Sequence, residues 1–149
     1  MSPPRPPRYK LWNVYSGPCH NINVKHDGST REKYYVVVRI CERYVHCALI
    51  GSRRSPIFGI RQCQMPLILK DIIDHDPSGA MLHKRTSWLS VHTDLEGGHL
   101  LTLPRYVQEG HERVGRLADD VIPNISELIE GCENIEREHK DFLLGDVDC

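Results

Sequence analysis

The sequence has no apolar run long enough to cross a bilayer. Its most apolar stretch, Tyr34-Tyr35-Val36-Val37-Val38, is five residues, where a spanning helix needs about twenty. A helix that spans a membrane is therefore not expected in this chain. The opening residues Met-Ser-Pro-Pro-Arg-Pro-Pro-Arg-Tyr-Lys carry positive charge but no apolar segment behind it, unlike a secretory signal, so a cytoplasmic protein is expected. No two of the six cysteines (Cys19, Cys41, Cys47, Cys63, Cys132 and Cys149) form a Cys-x-x-Cys pair. Neither Cys19-His20 nor the group Cys41, His46 and Cys47 has zinc-ligand spacing. No metal or other cofactor is expected, and the cysteines read as free thiols of a reducing compartment, some of them in the core. Phosphate-cradling Gly-x-x-x-x-Gly-Lys, the Gly-x-Ser-x-Gly elbow and His-Glu-x-x-His are also absent, which removes the common nucleotide, serine-hydrolase and zinc-protease readings.

What is present suits one globular domain. The chain has 149 residues, 40% hydrophobic and 26% charged, enough to bury a core without staples. Residues 1–8, with four prolines between 3 and 7, read as a flexible arm. Leu11–Tyr15 alternates as a short strand ended by Ser16-Gly17-Pro18. A polar loop follows over 16–33. Tyr34–Cys41 and Tyr44–Ile50 form a hairpin candidate. Met65–Ile73 reads as a further strand, and Asp74–Gly79 as a turn. Ser87–His92 alternates, with Leu89 and Val91 on one face and Trp88, Ser90 and His92 on the other. Arg113–Leu117 reads as a last strand. From Asp119 the period changes: Val121, Ile125, Leu128, Ile129, Cys132 and Ile135 share one face of an amphipathic helix, capped by Asp119 or Asp120 with Pro123 in its first turn. Residues 9–139 are then one domain of strands with a C-terminal helix packed on them, and 140–149 a tail.

Near-zero net charge, −1 overall, would argue against a polyanionic ligand, but the charge is unevenly spread. Residues 1–108 hold 15 Lys and Arg against 8 Asp and Glu; residues 109–149 hold 4 against 12. A nucleic acid responds to the local +7, not to the sum. The basic residues also pair up near turns: Arg31 with Lys33, Arg53 with Arg54, Lys84 with Arg85.

This order of segments resembles the PemK/MazF-like toxins, small SH3-like barrels that cut single-stranded RNA without a metal. The matching residues are Lys10–Tyr15, Arg31–Val38, Cys47–Ser52, Arg85-Thr86-Ser87-Trp88-Leu89, and most closely Val114–Asp120 leading into the helix. The resemblance spans about residues 9–135 and implies a barrel of five to seven short strands. It implies an endoribonuclease that works as a homodimer, is neutralised by an antitoxin, and cleaves by attack of the 2′-OH. The chain departs from the family at the chemistry. Lys33-Tyr34 stands where Arg-Pro is common, Ser52 where Thr is common, and Ser90 and His92 where some members carry Arg and Asp. The expected roles are Arg31, or Lys33 in its place, stabilising the phosphorane; Ser52 orienting the phosphate or 2′-OH; and His92 moving the proton. Lys33, Arg53, Arg54, Lys84 and Arg85 would hold backbone phosphates, and Trp88, Tyr34 or Tyr35 could stack a base. The rival expectations are a non-catalytic barrel that binds nucleic acid or protein, and, more remotely, a zinc-stabilised module.

Overall fold

The computed structural model describes residues 6–19, 31–51, 54, 61–74, 87–92, 101–146 and 148–149. Among the described residues, eight strands form one antiparallel sheet: β1 (Asn13–Cys19), β2 (Arg31–Ile40), β3 (Tyr44–Gly51), β4 (Gln64–Leu67), β5 (Ile72–Ile73), β6 (Ser87–Ser90), β7 (Leu101–Pro104) and β8 (Glu112–Leu117). Seven lie on one hydrogen-bonded path, β4-β6-β3-β2-β1-β8-β5, and β7 joins the same edge of β3 that β6 occupies. Among the described residues the helices are α1 (Ile122–Gly131) and α2 (Arg137–Leu143).

The path curls because its two end strands are almost adjacent in sequence. β4 ends at Leu67 and β5 begins at Ile72, joined through a 3-10 turn over Leu69–Asp71. The Asp71 carboxylate holds that turn by accepting from the Ile68 N–H at 2.8 Å. Four residues cannot span a flat seven-strand sheet, so the edges meet and the sheet becomes a nearly closed barrel. Register breaks between Val14 and Tyr15 and between Val37 and Arg39 supply curvature. The expected single strand over Met65–Ile73 is therefore split, its two halves serving opposite edges.

Alternation buries both faces of β2. Val36 and Val38 join the larger core with Val14, Ile50, Leu89, Val114 and the α1 residues Ile125 and Ile129. Tyr35 and Val37 join a second cluster with Tyr9, Tyr15, Val45, Cys47 and Leu101. Leu89 and Val91 both face the larger core, as their spacing predicts. Val121, Ile125, Ile129, Cys132 and Ile135 are buried as expected, but not on one continuous helix. α1 stops at Gly131 and the chain restarts as α2. Pro123 lies in the first turn, while the N-cap is Val121 and neither aspartate caps it. Lys140 of α2 donates to the Glu130 carbonyl at 2.7 Å, satisfying an end-of-helix acceptor of α1.

Further features were not legible. β1 continues past Ser16-Gly17-Pro18 to Cys19, and β7 occupies a segment to which the sequence assigns no strand. Four of the cysteines expected to be free thiols are paired, as Cys41–Cys149 and Cys63–Cys132. Packing of the helices against the sheet brings these distant residues to Cα separations of 5.3 Å, which spacing in sequence cannot reveal. Cys47 is buried and belongs to neither disulfide. Finally, Pro7 and Arg8 of the expected arm are tied down: the Val107 N–H donates to the Pro7 carbonyl, and Arg8 bridges to Tyr106. The expected tail from residue 140 begins inside α2.

Candidate nucleic-acid interface

Register decides which site residues meet. Trp88 pairs with Gly51, and Leu89 with Ile50; Ile50 pairs in turn with Tyr34. Carrying that register one residue on sets Lys33 level with Gly51, and Lys33 also pairs with Gly17. Because Tyr34 and Leu89 pack on the larger core, alternation turns Lys33 and Trp88 to the opposite face. Lys33 and Trp88 thus flank Gly51 on two neighbouring strands, about 10 Å apart at two strand spacings. Gly51 is exposed and contributes no side chain between them. The result is a slot with a backbone floor, one cationic wall and one aromatic wall. The Arg54 guanidinium lies over the Trp88 ring, 5.1 Å from its centroid, and adds a second exposed cation to the aromatic side.

Arg31 belongs to the same sheet end: it opens β2 and pairs with Cys19. Ser52, Arg53, Lys84 and Arg85 lie outside the described residues. His92 does not join the slot. It follows β6 and lies four residues beyond Trp88, roughly 13 Å at strand rise. Its ring is half-buried, its Nδ1 has no hydrogen-bond partner among the described residues, and burial lowers its pKa below the ordinary histidine value. Burial therefore favours its uncharged form. Ser90, between them, is buried and accepts a 2.7 Å hydrogen bond from the Gln64 side-chain amide. Of the aromatics expected to stack a base, Tyr35 is fully buried and Tyr34 packs on the larger core; Trp88 alone of the three is placed on the slot.

A histidine that sequence reasoning passed over reaches this sheet end. The Ser16–Glu112 pairing brings His111 alongside Gly17, and its ring rests directly on the Gly17 backbone. His111 Nε2 contacts the Pro18 carbonyl at 2.9 Å. A carbonyl only accepts, so Nε2 carries the proton. In the neutral ring Nδ1 then accepts from the Tyr35 hydroxyl at 2.6 Å, and Tyr35 accepts from Tyr9 at 2.8 Å. Tyr9 in turn accepts from the Gln108 N–H at 3.3 Å. Burial raises the Tyr9 pKa, against the lowering effect of its hydrogen bonds. This directed chain ties the N-terminal segment, β2 and the segment before β8 into one unit on the sheet face that carries Lys33. No run of residues signals it; its members are spread from position 9 to position 111.

No grouping of histidine, cysteine, aspartate and glutamate suited to a metal occurs among the described residues. No family model, curated protein or solved structure matches the chain.

Proposed function

We propose that the chain is an SH3-like barrel that binds single-stranded RNA across the Lys33–Gly51–Trp88 slot. The observation that carries this reading is the placement of Lys33 and the half-buried Trp88 on either side of the exposed Gly51, with the Arg54 guanidinium over the Trp88 ring. Single-stranded nucleic acid is held by that combination, phosphate on cation and base on ring. The excess of positive charge over residues 1–108 supports it. Fluorescence anisotropy with a labelled single-stranded RNA tests it. Trp88→Ala is expected to weaken binding by about 1–3 kcal/mol, the worth of one stacked base. Lys33→Ala is expected to lower the slope of log affinity against log salt by roughly one contact. Wild-type binding that is absent, or insensitive to both changes, removes the proposal.

The PemK/MazF-like endoribonuclease is the second reading, with an antitoxin and a homodimer as its partners. It rests on the resemblance in segment order and on the arrival of Arg31 and Lys33 at one end of β2. In that chemistry a neutral imidazole takes the 2′-OH proton, O2′ attacks phosphorus, Arg31 or Lys33 stabilises the phosphorane, and the 5′-oxygen leaves with a proton. Incubation with RNA in EDTA separates the two readings. Cleavage that is lost in Arg31→Ala, Ser52→Ala and His92→Ala supports the enzyme; binding without scission supports the module. The cytoplasmic location belonging to the toxin reading sets a condition, because in a reducing cytoplasm both cysteine pairs would be held as thiols.

A further inference from the structure

The two disulfides differ in where they sit and in what they hold. Cys63 and Cys132 are 0% and 1% exposed and lie within the larger core, among Leu67, Leu89 and Ile129. A thiolate cannot reach that pair without partial unfolding. Cys41 is half-buried at the end of β2, and Cys149 is exposed. Thiol–disulfide exchange requires access to a sulfur, so the native protein offers this pair and shields the other.

The outer pair also holds one wall of a cleft. α2 ends with Gly145 in the left-handed conformation, φ 81°, and the Asp146 N–H donates to the Asp141 carbonyl at 2.9 Å. That turn passes against the Arg39 guanidinium, which an added β-carbon at Gly145 would approach to 3.1 Å, and sends the chain back toward Ile40. The cleft, about 190 Å³, has Leu11, Trp12, Val38 and Ile40 on the sheet side and Leu143 and Leu144 on the other. Cys41 directly follows Ile40, and Cys149 lies four residues after Gly145. Their bond therefore fastens the C-terminal wall to the sheet wall.

We propose that Cys41–Cys149 is a site of reversible exchange with a dithiol, and that its reduction loosens the C-terminal wall of this cleft. A dithiol's thiolate attacks the exposed Cys149 sulfur, and the Cys41–Cys149 bond breaks. Cys41 leaves as a thiolate and takes up a proton. The second thiol of the reductant then displaces Cys149 as a thiol. The protein gains two thiols and the dithiol becomes a disulfide, so electrons and protons balance.

The test treats the full chain with dithiothreitol under native conditions, traps thiols by alkylation at intervals, and locates the label by mass spectrometry. Hydrogen exchange over 137–149 is followed in parallel. Cys41 and Cys149 are expected to be labelled roughly tenfold or more ahead of Cys63 and Cys132, with amides at 143–146 exchanging at least several-fold faster once they are. In Cys149→Ser those amides should already exchange at the faster rate and not respond to dithiothreitol. Simultaneous labelling of both pairs overturns the exchange site. Selective labelling with unchanged exchange at 143–146, in wild type and in Cys149→Ser alike, overturns the clamp.

Discussion

Gly17 shows how one missing side chain fixes a local arrangement. The His111 ring occupies the space where a β-carbon at Gly17 would stand. Gly17→Ala must push that ring away and break its bonds to Tyr35 and the Pro18 carbonyl. A loss of about 1–3 kcal/mol is expected from overpacking, read as a lower midpoint in chemical denaturation. Tyr35→Phe asks a narrower question, since it keeps the ring and removes only the hydroxyl. Tyr9 and His111 then face a gap at their shared partner, and a cost of about 1–3 kcal/mol follows from buried groups left unpaired. If Tyr35→Phe is neutral in the same experiment, the chain of hydroxyls is not what holds Tyr9 in place. At this scale the sequence was least informative. Gly17 read as a turn residue and Tyr35 as a stacking candidate, because their partners are 94 and 76 positions away.

Elements were more legible than residues, wherever a period was unbroken. The Tyr34–Ile50 hairpin, the Leu89–Val91 face and the apolar spacing from Val121 to Ile135 all placed correct residues in the core. The misses lie where the segments are shortest: β5 and β7 are two and four residues long, too brief to stand out as strands. The helix break falls at Gly131, the poorest helix former in that run, beside the Cys63–Cys132 bond. The seam between α2 and the sheet gives a prediction with a definite sign. His46 on β3 meets the Phe142 ring edge-on, with centroids 4.8 Å apart, and lies 3.3 Å from the Thr102 hydroxyl. Burial first, then the nearby His139 and Arg39, lowers its pKa from the ordinary 6.5. The unfolded chain therefore binds a proton at a pH where the folded protein does not, and His46 supports folding fully only above about 6.5. That support is lost as pH falls through 6.5 toward the lowered folded value; His92 shifts in the same direction. Thermal melts from about pH 7.5 to about pH 5 should show a falling midpoint. The fall should be shallower in His46→Gln, and an unchanged slope there would assign the acid sensitivity to other groups.

For the whole molecule, the division of charge is the property that sequence alone made plainest. The acidic share concentrates toward α1 and α2, where Arg137 pairs with both Glu130 and Asp141, while the Lys33–Trp88 slot lies among the sheet strands. If the proposed RNA binding holds, opposite-signed regions on one small body imply that raising salt weakens it without a matching loss of fold stability. Parallel binding and melting series would expose any departure from that. The barrel itself was legible as a class, a run of strands followed by helix, but its closure was not, because the segment that closes it read as one strand. Closure through Leu69–Asp71 also limits how two copies can meet. An open sheet can grow by borrowing a strand from a neighbour. Here the described outer strands offer little to borrow: four residues in β4, two in β5 and four in β7, with a proline in both β4 and β7. The described outer strands therefore disfavour edge-to-edge pairing of two copies, so any self-association is expected to yield to single surface substitutions rather than proceed into fibres.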